Sequence, residues 1–292
     1  MTDRVGGLRI AAHITFYYVE ERLKYLDAVI AGLRGIPHDV TIFVYSNEPI
    51  AEYDGASDVE VLVYGYAKRG TRWNRFDVWH RSRLYTKLKP GKVIHGLRLT
   101  KLVHPFFLTW ENRANIRANL ENFDVQMYLE DDMAFDAAAF DYWLRYKGVC
   151  LRNDYNLGFL RTEVGPDGSL FVTDLTTAPT RMLELEGTPF LVNDVNTYCG
   201  FWIYDRSELE KFVETPEWKF EFRGYDVREK SAIGWHGLGM GRYRATLVPL
   251  VEVGASSYRT DVGSGVRHLP NNYIGHDVFC KLRFPLTFEG GA

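Results

Sequence analysis

The sequence predicts an α/β protein with a mostly parallel central sheet, helices on both of its faces, and a smaller antiparallel region. Two observations support this fold class. Strand-like apolar runs alternate with helical patterns in the first half of the chain, whereas short strands separated by turns dominate the second half. We treat the 292 residues as one domain with two halves, residues 1–133 and 134–292, because no linker-like segment divides them.

The elements of the first half follow from apolar runs and their spacing. Runs rich in β-branched and aromatic residues predict four strands, at residues 8–18, 40–45, 59–66 and 125–129. Apolar residues at helical spacing predict helices at residues 20–33, 111–122 and 137–146. Residues 68–101 show no clear period, and we expect a long loop with a short helix there.

In the second half, turn residues and short apolar runs predict the strands and a helix. The segment Gly165-Pro166-Asp167-Gly168 predicts a turn between antiparallel strands at residues 157–164 and 170–174. A further strand is expected at residues 198–204, followed by a helix at residues 207–213.

The net charge, the cysteines and the lack of long apolar stretches exclude several classes of protein. The formal net charge of −3 provides no basic field for nucleic acid, so no nucleic-acid partner is expected. The three widely spaced cysteines are typical of free thiols in a reducing compartment. The chain begins without an apolar signal segment and contains no stretch long enough to cross a bilayer. We therefore expect a cytoplasmic protein without a transmembrane segment, and contact with a membrane surface is left open.

The strongest chemical signal is the acidic triplet Glu130-Asp131-Asp132, which directly follows the strand at residues 125–129. Three adjacent carboxylates repel one another, and a bound divalent cation such as Mg²⁺ or Mn²⁺ would relieve that repulsion. The carboxyl end of a strand in an open α/β sheet is also where ligands bind. The alternative is a solvated acidic turn that caps the following helix.

This arrangement resembles the GT-A class of nucleotide-sugar glycosyltransferases, in which an acidic DxD motif ends the α/β half. The triplet Glu130-Asp131-Asp132 matches that motif, and the opening segment RLKYLDAVIAGL with Arg22 is similar to the first helix of such enzymes. The resemblance implies that residues 1–133 bind a nucleotide sugar and that residues 134–292 bind the acceptor, a glycan or lipid-linked saccharide.

The resemblance also implies roles for individual residues. Asp132 would ligate Mn²⁺ or Mg²⁺, with Glu130 and Asp131 supporting the metal or the nucleotide. The cation would bridge the two donor phosphates and neutralise charge on the departing diphosphate. We also assign His13, in the first strand, and Arg113, in the helix before the acidic strand, to donor binding.

A second acidic pair, Asp226 and Glu229, stands three residues apart and would share one face of a helix. Many inverting GT-A enzymes carry an acid in this region that deprotonates the acceptor hydroxyl, and we assign that role to Glu229, with Asp226 as its partner. The alternative is a capping pair that only begins a helix.

His268 lies in a short loop with Pro270. Several GT-A families bring a C-terminal histidine to the metal, so the resemblance implies His268 as a further ligand. A structural role for a lone histidine is the alternative.

The sequence thus predicts a metal-dependent glycosyltransferase, hexosyltransferase-like and inverting. Two alternatives stay open. A sugar nucleotidyltransferase shares the α/β layout, although such enzymes usually place a glycine-rich loop after the first strand, where this chain has Phe16-Tyr17-Tyr18-Val19-Glu20. A non-catalytic sugar-binding protein could also retain a degenerate GT-A fold.

Overall fold

A computed structural model describes residues 7–66, 105–219, 228–234, 245–254 and 256–289. Its strands, in chain order, are β1 Arg9–Phe16, β2 Asp39–Ser46, β3 Val59–Val63, β4 Val125–Glu130, β5 Met133–Ala134, β6 Asn156–Leu157, β7 Leu160–Val164, β8 Leu170–Val172, β9 Met182–Leu185, β10 Thr188–Asn193, β11 Phe201–Asp205, β12 Thr246–Gly254, β13 Ser257–Thr260, β14 Gly265–His268, β15 Leu282–Phe284 and β16 Thr287–Glu289.

The α-helices of the described residues are α1 Leu23–Arg34, α2 Asn112–Ala118, α3 Ala137–Arg152, α4 Arg206–Phe212 and α5 Glu229–Ala232. Short 3₁₀ turns occur at Glu20–Arg22, Ala51–Tyr53, Pro105–Trp110, Pro216–Trp218 and Val262–Ser264. Within the described ranges, no helix has both the length and the apolar character needed to cross a membrane.

The central sheet has the strand order β11-β4-β1-β2-β3. Strands β1 to β4 run parallel, and β11 joins the edge of β4 in the antiparallel direction. Met127 and Leu129 of β4 belong to the apolar cluster formed with α1 and α3. Tyr128, between them, packs instead with residues of α2 and α4. Because neighbouring side chains on a strand point to opposite faces, helices cover both faces of this sheet.

Two further sheets build the second half. One has the order β16-β13-β12-β10-β9, with β6 beside β12, and the other has the order β15-β8-β7-β14-β5. In the latter sheet β14 pairs with β5, which begins directly after the acidic triplet, and also with β7. This pairing connects the end of β4 to strands far along the chain.

The predicted mixed α/β class, with its largely parallel sheet and helices on both faces, is confirmed. The predicted hairpin is present as β7 and β8, and Gly168 closes its turn with a positive φ of 79°. The first helix starts with a 3₁₀ turn before α1. The helix expected at residues 111–122 ends at Ala118, where the side chain of Asn119 binds the carbonyl of Asn115. Residues 68–101 lie outside the described residues.

Candidate active site

The acidic triplet lies at the point where the strand order of the central sheet reverses. Along the chain, β1, β2 and β3 proceed in one direction across the sheet, and β4 then returns to the other side of β1. Thr15 of β1 lies beside Glu130 of β4, so both carboxyl ends meet there. In open α/β sheets this reversal creates the crevice in which ligands bind.

Arg22 contacts two of the three carboxylates. Its Nε donates to Oδ2 of Asp131 at 3.0 Å, and its Nη2 donates to Oδ1 of Asp131 at 2.9 Å and to Oδ2 of Asp132 at 2.8 Å. Arg22 ends the 3₁₀ turn that follows β1, so the first β–α connection delivers it to the end of β4. The triplet therefore has a protein cation as a partner, whereas the sequence suggested only a metal for this purpose.

The three acids ionise differently because their surroundings differ. Burial and the charge of Asp132 raise the pKa of Asp131 to about 7, against the opposing effect of Arg22. Burial also opposes ionisation of Asp132, but His268 and Arg22 outweigh it and lower the pKa of Asp132 to about 2. Burial, followed by the charge of Asp132, raises the pKa of Glu130. Asp132 is thus the acid most strongly held in its charged form.

Strand pairing brings His268 to Asp132. In the antiparallel pair of β14 and β5, His268 lies opposite Met133, and the amide of Leu269 donates to the carbonyl of Asp132 at 2.9 Å. The imidazole Nε2 stands 3.7 Å from Oδ2 of Asp132. The expectation that these two residues share a site is consistent with this placement, although their binding of metal stays a prediction.

The other imidazole nitrogen contacts a residue that the sequence did not reveal. Nδ1 of His268 lies 2.6 Å from Oε1 of Glu163, whose side chain has no exposed surface. The second oxygen of Glu163 accepts the backbone amides of Tyr273 at 2.9 Å and Ile274 at 3.0 Å. Burial lowers the pKa of His268, but Asp132 and Glu163 outweigh it, so the pKa is raised overall.

Among the residues that the structure describes, three buried polar atoms at this edge of the sheet have no hydrogen-bond partner. They are Oγ1 of Thr15, at the end of β1, Nδ2 of Asn47, directly after β2, and Oδ1 of Asp132, after β4. Each of these residues is less than a tenth exposed, at 7%, 6% and 8% respectively. A buried polar group without a partner is costly. Their common position therefore indicates a site for a polar ligand.

These residues fit a divalent cation shared with a ligand. Among the described residues Oδ1 of Asp132 has no hydrogen-bond partner, and Nε2 of His268 lies 3.7 Å from Oδ2, the other oxygen of that carboxylate. In the described part of the chain, no three His, Cys, Asp or Glu side chains are grouped so as to hold a metal by themselves. Mg²⁺-type sites commonly use one or two protein carboxylates and complete their shell with phosphate oxygens. A two-residue site is therefore adequate if the ligand is a phosphate.

Glu130 takes a different position from Asp132. Its Oε1 accepts a hydrogen bond from the Tyr198 hydroxyl at 3.0 Å. The charges of Arg228 and Arg161 act on it, since both lower its pKa against the effect of burial. Glu130 therefore borders the site from the side of β11, and its assignment as a metal ligand stays a prediction.

Two residues assigned to donor binding lie inside the protein. His13 is fully buried, with Nδ1 2.9 Å from the Tyr45 hydroxyl and Nε2 3.0 Å from Oε1 of Gln126. Burial lowers the pKa of His13 to about 3, so its imidazole is neutral. With both nitrogens engaged by protein groups, His13 has the contacts of a core residue, and a role in donor binding gains no support from them.

Arg113 is enclosed by aromatic rings. Its guanidinium carbon lies 4.3 Å from the ring centre of Trp218 and 5.4 Å from that of Trp202. Burial lowers its pKa to about 9. Its Nη2 donates to the carbonyl of Ser231 at 3.0 Å, and Nε1 of Trp202 donates to the same oxygen at 3.1 Å. Arg113 thus anchors α5, rather than presenting its charge at the surface.

The helix anchored in this way carries Glu229 as its first residue. Glu229 is exposed. Burial lowers the pKa of the preceding Arg228, but the nearby charges of Glu130 and Asp132 outweigh it and raise that pKa overall. The structure therefore places α5 beside the acidic site. Asp226, the other acid of the predicted pair, lies outside the described residues.

Comparisons with known proteins found remote structural similarity alone. No family model and no curated protein matches the chain. The structure is similar to a 1–349 fragment of S. aureus TarS, with a TM-score of 0.38 and 11% identity over 89% of this chain and 60% of that chain. It is also similar to WbbM, described as a bifunctional glycosyltransferase, with a TM-score of 0.34 and 11% identity over 79% of this chain and 37% of that chain. The chain spans 60% or less of either protein, and similarity at this level assigns no family.

Proposed function

We propose that this protein is a divalent-cation-dependent glycosyltransferase that transfers a sugar from a nucleotide-sugar donor to a glycan or lipid-linked acceptor. The observation that carries the proposal is the site at the sheet reversal, where Oδ1 of Asp132 has no hydrogen-bond partner among the described residues and Nε2 of His268 lies 3.7 Å from Oδ2 of the same carboxylate. The sequence resemblance to GT-A enzymes, based on Glu130-Asp131-Asp132, supports the same function.

Asp132 and His268 would hold the cation, Mn²⁺ or Mg²⁺, with Glu130 at its border. When bound, the cation would neutralise negative charge on the departing nucleoside diphosphate. Arg22, which donates to Oδ2 of Asp132, helps to keep that carboxylate charged, as a cation ligand requires.

Arg22 is suited to bind the donor diphosphate. Its Nε and Nη2 are tied to Asp131 and Asp132, and its side chain stays 34% exposed. Within the described residues, Nη1 makes no hydrogen bond, so it can donate to a phosphate oxygen in the crevice. Oγ1 of Thr15 and Nδ2 of Asn47, which have no hydrogen-bond partner among the described residues, would supply further hydrogen bonds to the same ligand.

Glu229 is the proposed general base of an inverting transfer. Its exposure allows contact with an acceptor, and the two hydrogen bonds to Ser231 hold its helix against the sheet. In this role it would take the proton of the acceptor hydroxyl as that oxygen attacks the sugar carbon. Asp226 stays a second candidate for the role.

The experiment is a screen of nucleotide sugars for Mn²⁺-dependent hydrolysis and transfer, combined with thermal shifts for the matching nucleoside diphosphates. A ligand at a hundred times its Kd stabilises the folded state by about 2.7 kcal/mol, so the correct nucleotide should be evident. The Asp132→Asn variant should lose the Mn²⁺-dependent thermal shift. Its turnover rate should fall by at least about a hundredfold. Asp136→Asn is the matched control because Asp136 caps α3 and Asn retains a cap.

Full activity of the Asp132→Asn variant would contradict the proposal. Release of pyrophosphate from a nucleoside triphosphate and a sugar phosphate would instead indicate a nucleotidyltransferase. Nucleotide binding without hydrolysis or transfer under any donor and acceptor would indicate a binding protein.

A further inference from the structure

We propose that Glu163 is a positioning residue that fixes the imidazole of His268 so that Nε2 is directed to the carboxylate of Asp132, where the cation is proposed to bind. This inference rests on the proposed cation site, and it assigns a function to a residue that the sequence did not single out. Glu163 touches neither the proposed cation position nor the acidic triplet in the contacts described, so it acts through His268.

The contacts of Glu163 leave its carboxylate little freedom. Its side chain has no exposed surface, and Oε2 accepts the amides of Tyr273 and Ile274. Oε1 is therefore held at a fixed place, 2.6 Å from Nδ1 of His268. A carboxylate accepts hydrogen bonds, so Nδ1 must carry the proton of this contact.

Strand pairing explains why these side chains meet. Strand β14, which ends at His268, lies between β5 and β7, and Arg267 pairs with Ala134 on one side and Thr162 on the other. Glu163 follows Thr162 along β7. The imidazole is thus placed between Asp132, which precedes β5, and Glu163, with one ring nitrogen directed to each.

This is the arrangement that metal-binding histidines commonly have. Such a histidine donates its other N–H to a carboxylate, which fixes the tautomer and the ring orientation, and loss of that partner typically weakens metal affinity 10- to 100-fold. A merely structural Glu163 would hold the backbone of Tyr273 and Ile274 through Oε2, and the contact of Oε1 with His268 would be incidental. The two roles differ in their effect on a bound metal.

The test measures Mn²⁺ binding directly, by electron paramagnetic resonance in the presence of a nucleoside diphosphate. Glu163→Gln should raise the Kd for Mn²⁺ by about 10- to 100-fold. It should also weaken the nitrogen coupling that a histidine ligand gives to the Mn²⁺ spin-echo signal. His268→Ala should abolish that coupling. Glu208→Gln is the matched control because Glu208 is a buried glutamate on α4 that caps its own helix.

Unchanged Mn²⁺ affinity and unchanged nitrogen coupling in Glu163→Gln would overturn the inference while leaving the proposed function intact. Wild-type protein that binds the nucleotide without any Mn²⁺ would overturn the cation site, and this inference with it. If Glu163→Gln does not fold, the wild-type protein with ¹⁵N-labelled histidine and ¹¹³Cd²⁺ supplies the answer. Cadmium coupling at Nε2 of His268 supports the inference, and coupling at Nδ1 overturns it.

Discussion

At the scale of single residues, Arg22 supplies a positive charge to the acidic triplet. Three adjacent carboxylates suggest a missing cation, yet Arg22 already compensates Asp131 through two hydrogen bonds and Asp132 through one. Even so, Oδ1 of Asp132 has no hydrogen-bond partner in the part of the chain that the structure describes. Arg22 therefore offsets part of the repulsion among the carboxylates, and one oxygen of Asp132 is left for a ligand.

Replacing Arg22 tests this compensation. Arg22→Gln should lower the free energy of unfolding by about 1–3 kcal/mol without metal, because buried oxygens of Asp131 and Asp132 would lose their hydrogen-bond donor. Chemical denaturation measures the change. Saturating Mn²⁺ should recover part of the loss, since the cation would then supply positive charge to the same carboxylates.

Arg34→Gln is the matched control for this substitution. Arg34 makes the same two-bond contact with Asp58, at 2.7 and 2.9 Å, but on an exposed surface. Exposed ion pairs contribute about 0–1 kcal/mol, so this variant should lose less and should not respond to Mn²⁺. Equal losses in the two variants, with equal responses to Mn²⁺, would contradict the role given to Arg22.

The sequence indicated some site residues and not others, for a physical reason. Asp132 was evident because an apolar strand led directly into the triplet. Arg22 was noticed through its segment, but its partners depend on how the first turn folds back over β4. Glu163 gave no signal, because a single acid in a strand resembles any solvent-facing position until the neighbouring strands are known.

At the scale of elements, the contact between α1 and β5 positions the segment after the triplet. Gly32 of α1 approaches this segment so closely that an added Cβ would lie 2.7 Å from the carbonyl oxygen of Phe135. The helix therefore packs directly against backbone, and the absence of a side chain at Gly32 sets the distance. Displacement of this segment would carry Asp132 with it.

Gly32→Ala should lower the free energy of unfolding by about 1 kcal/mol, because overpacking against backbone outweighs the gain in helix propensity. It should also weaken Mn²⁺-dependent nucleotide binding. Thermal denaturation and nucleotide titration measure the two effects.

Gly148→Ala in α3 is the matched control. Its added Cβ would meet only the end of the Arg152 side chain, at 3.2 Å, which can move. This variant should therefore gain about 0.5–1 kcal/mol of stability from helix propensity and bind nucleotide normally. If both variants were stabilised equally, the close approach of α1 to β5 would not constrain the site.

The elements themselves were largely evident from the sequence. Apolar runs and turn residues predicted β1 to β4, α1 and the β7–β8 hairpin, because these depend on local spacing. The ends of helices were less accurate, as with α2, where the side chain of Asn119 binds backbone and ends the helix early. Local hydrogen bonding of this kind competes with the helical period.

At the scale of the whole molecule, the site depends on contact between the two halves of the chain. The first half of the chain supplies Arg22 and the triplet, and the second half supplies Glu163 and His268 through the pairing of β14 with β7 and β5. Glu163 and His268 are 105 residues apart along the chain. Pairing over such separations depends on sheet order and register, which the sequence pattern did not reveal.

The central claim is that Asp132 and His268 together bind a divalent cation at the reversal point of the sheet. Anomalous scattering from crystals grown with Mn²⁺ and a nucleoside diphosphate tests it most directly. We expect one strong manganese peak about 2.1 Å from Oδ1 of Asp132, with Nε2 of His268 and the phosphate oxygens around it. Bound nucleotide with the manganese peak elsewhere, or with no peak at all, would contradict the claim.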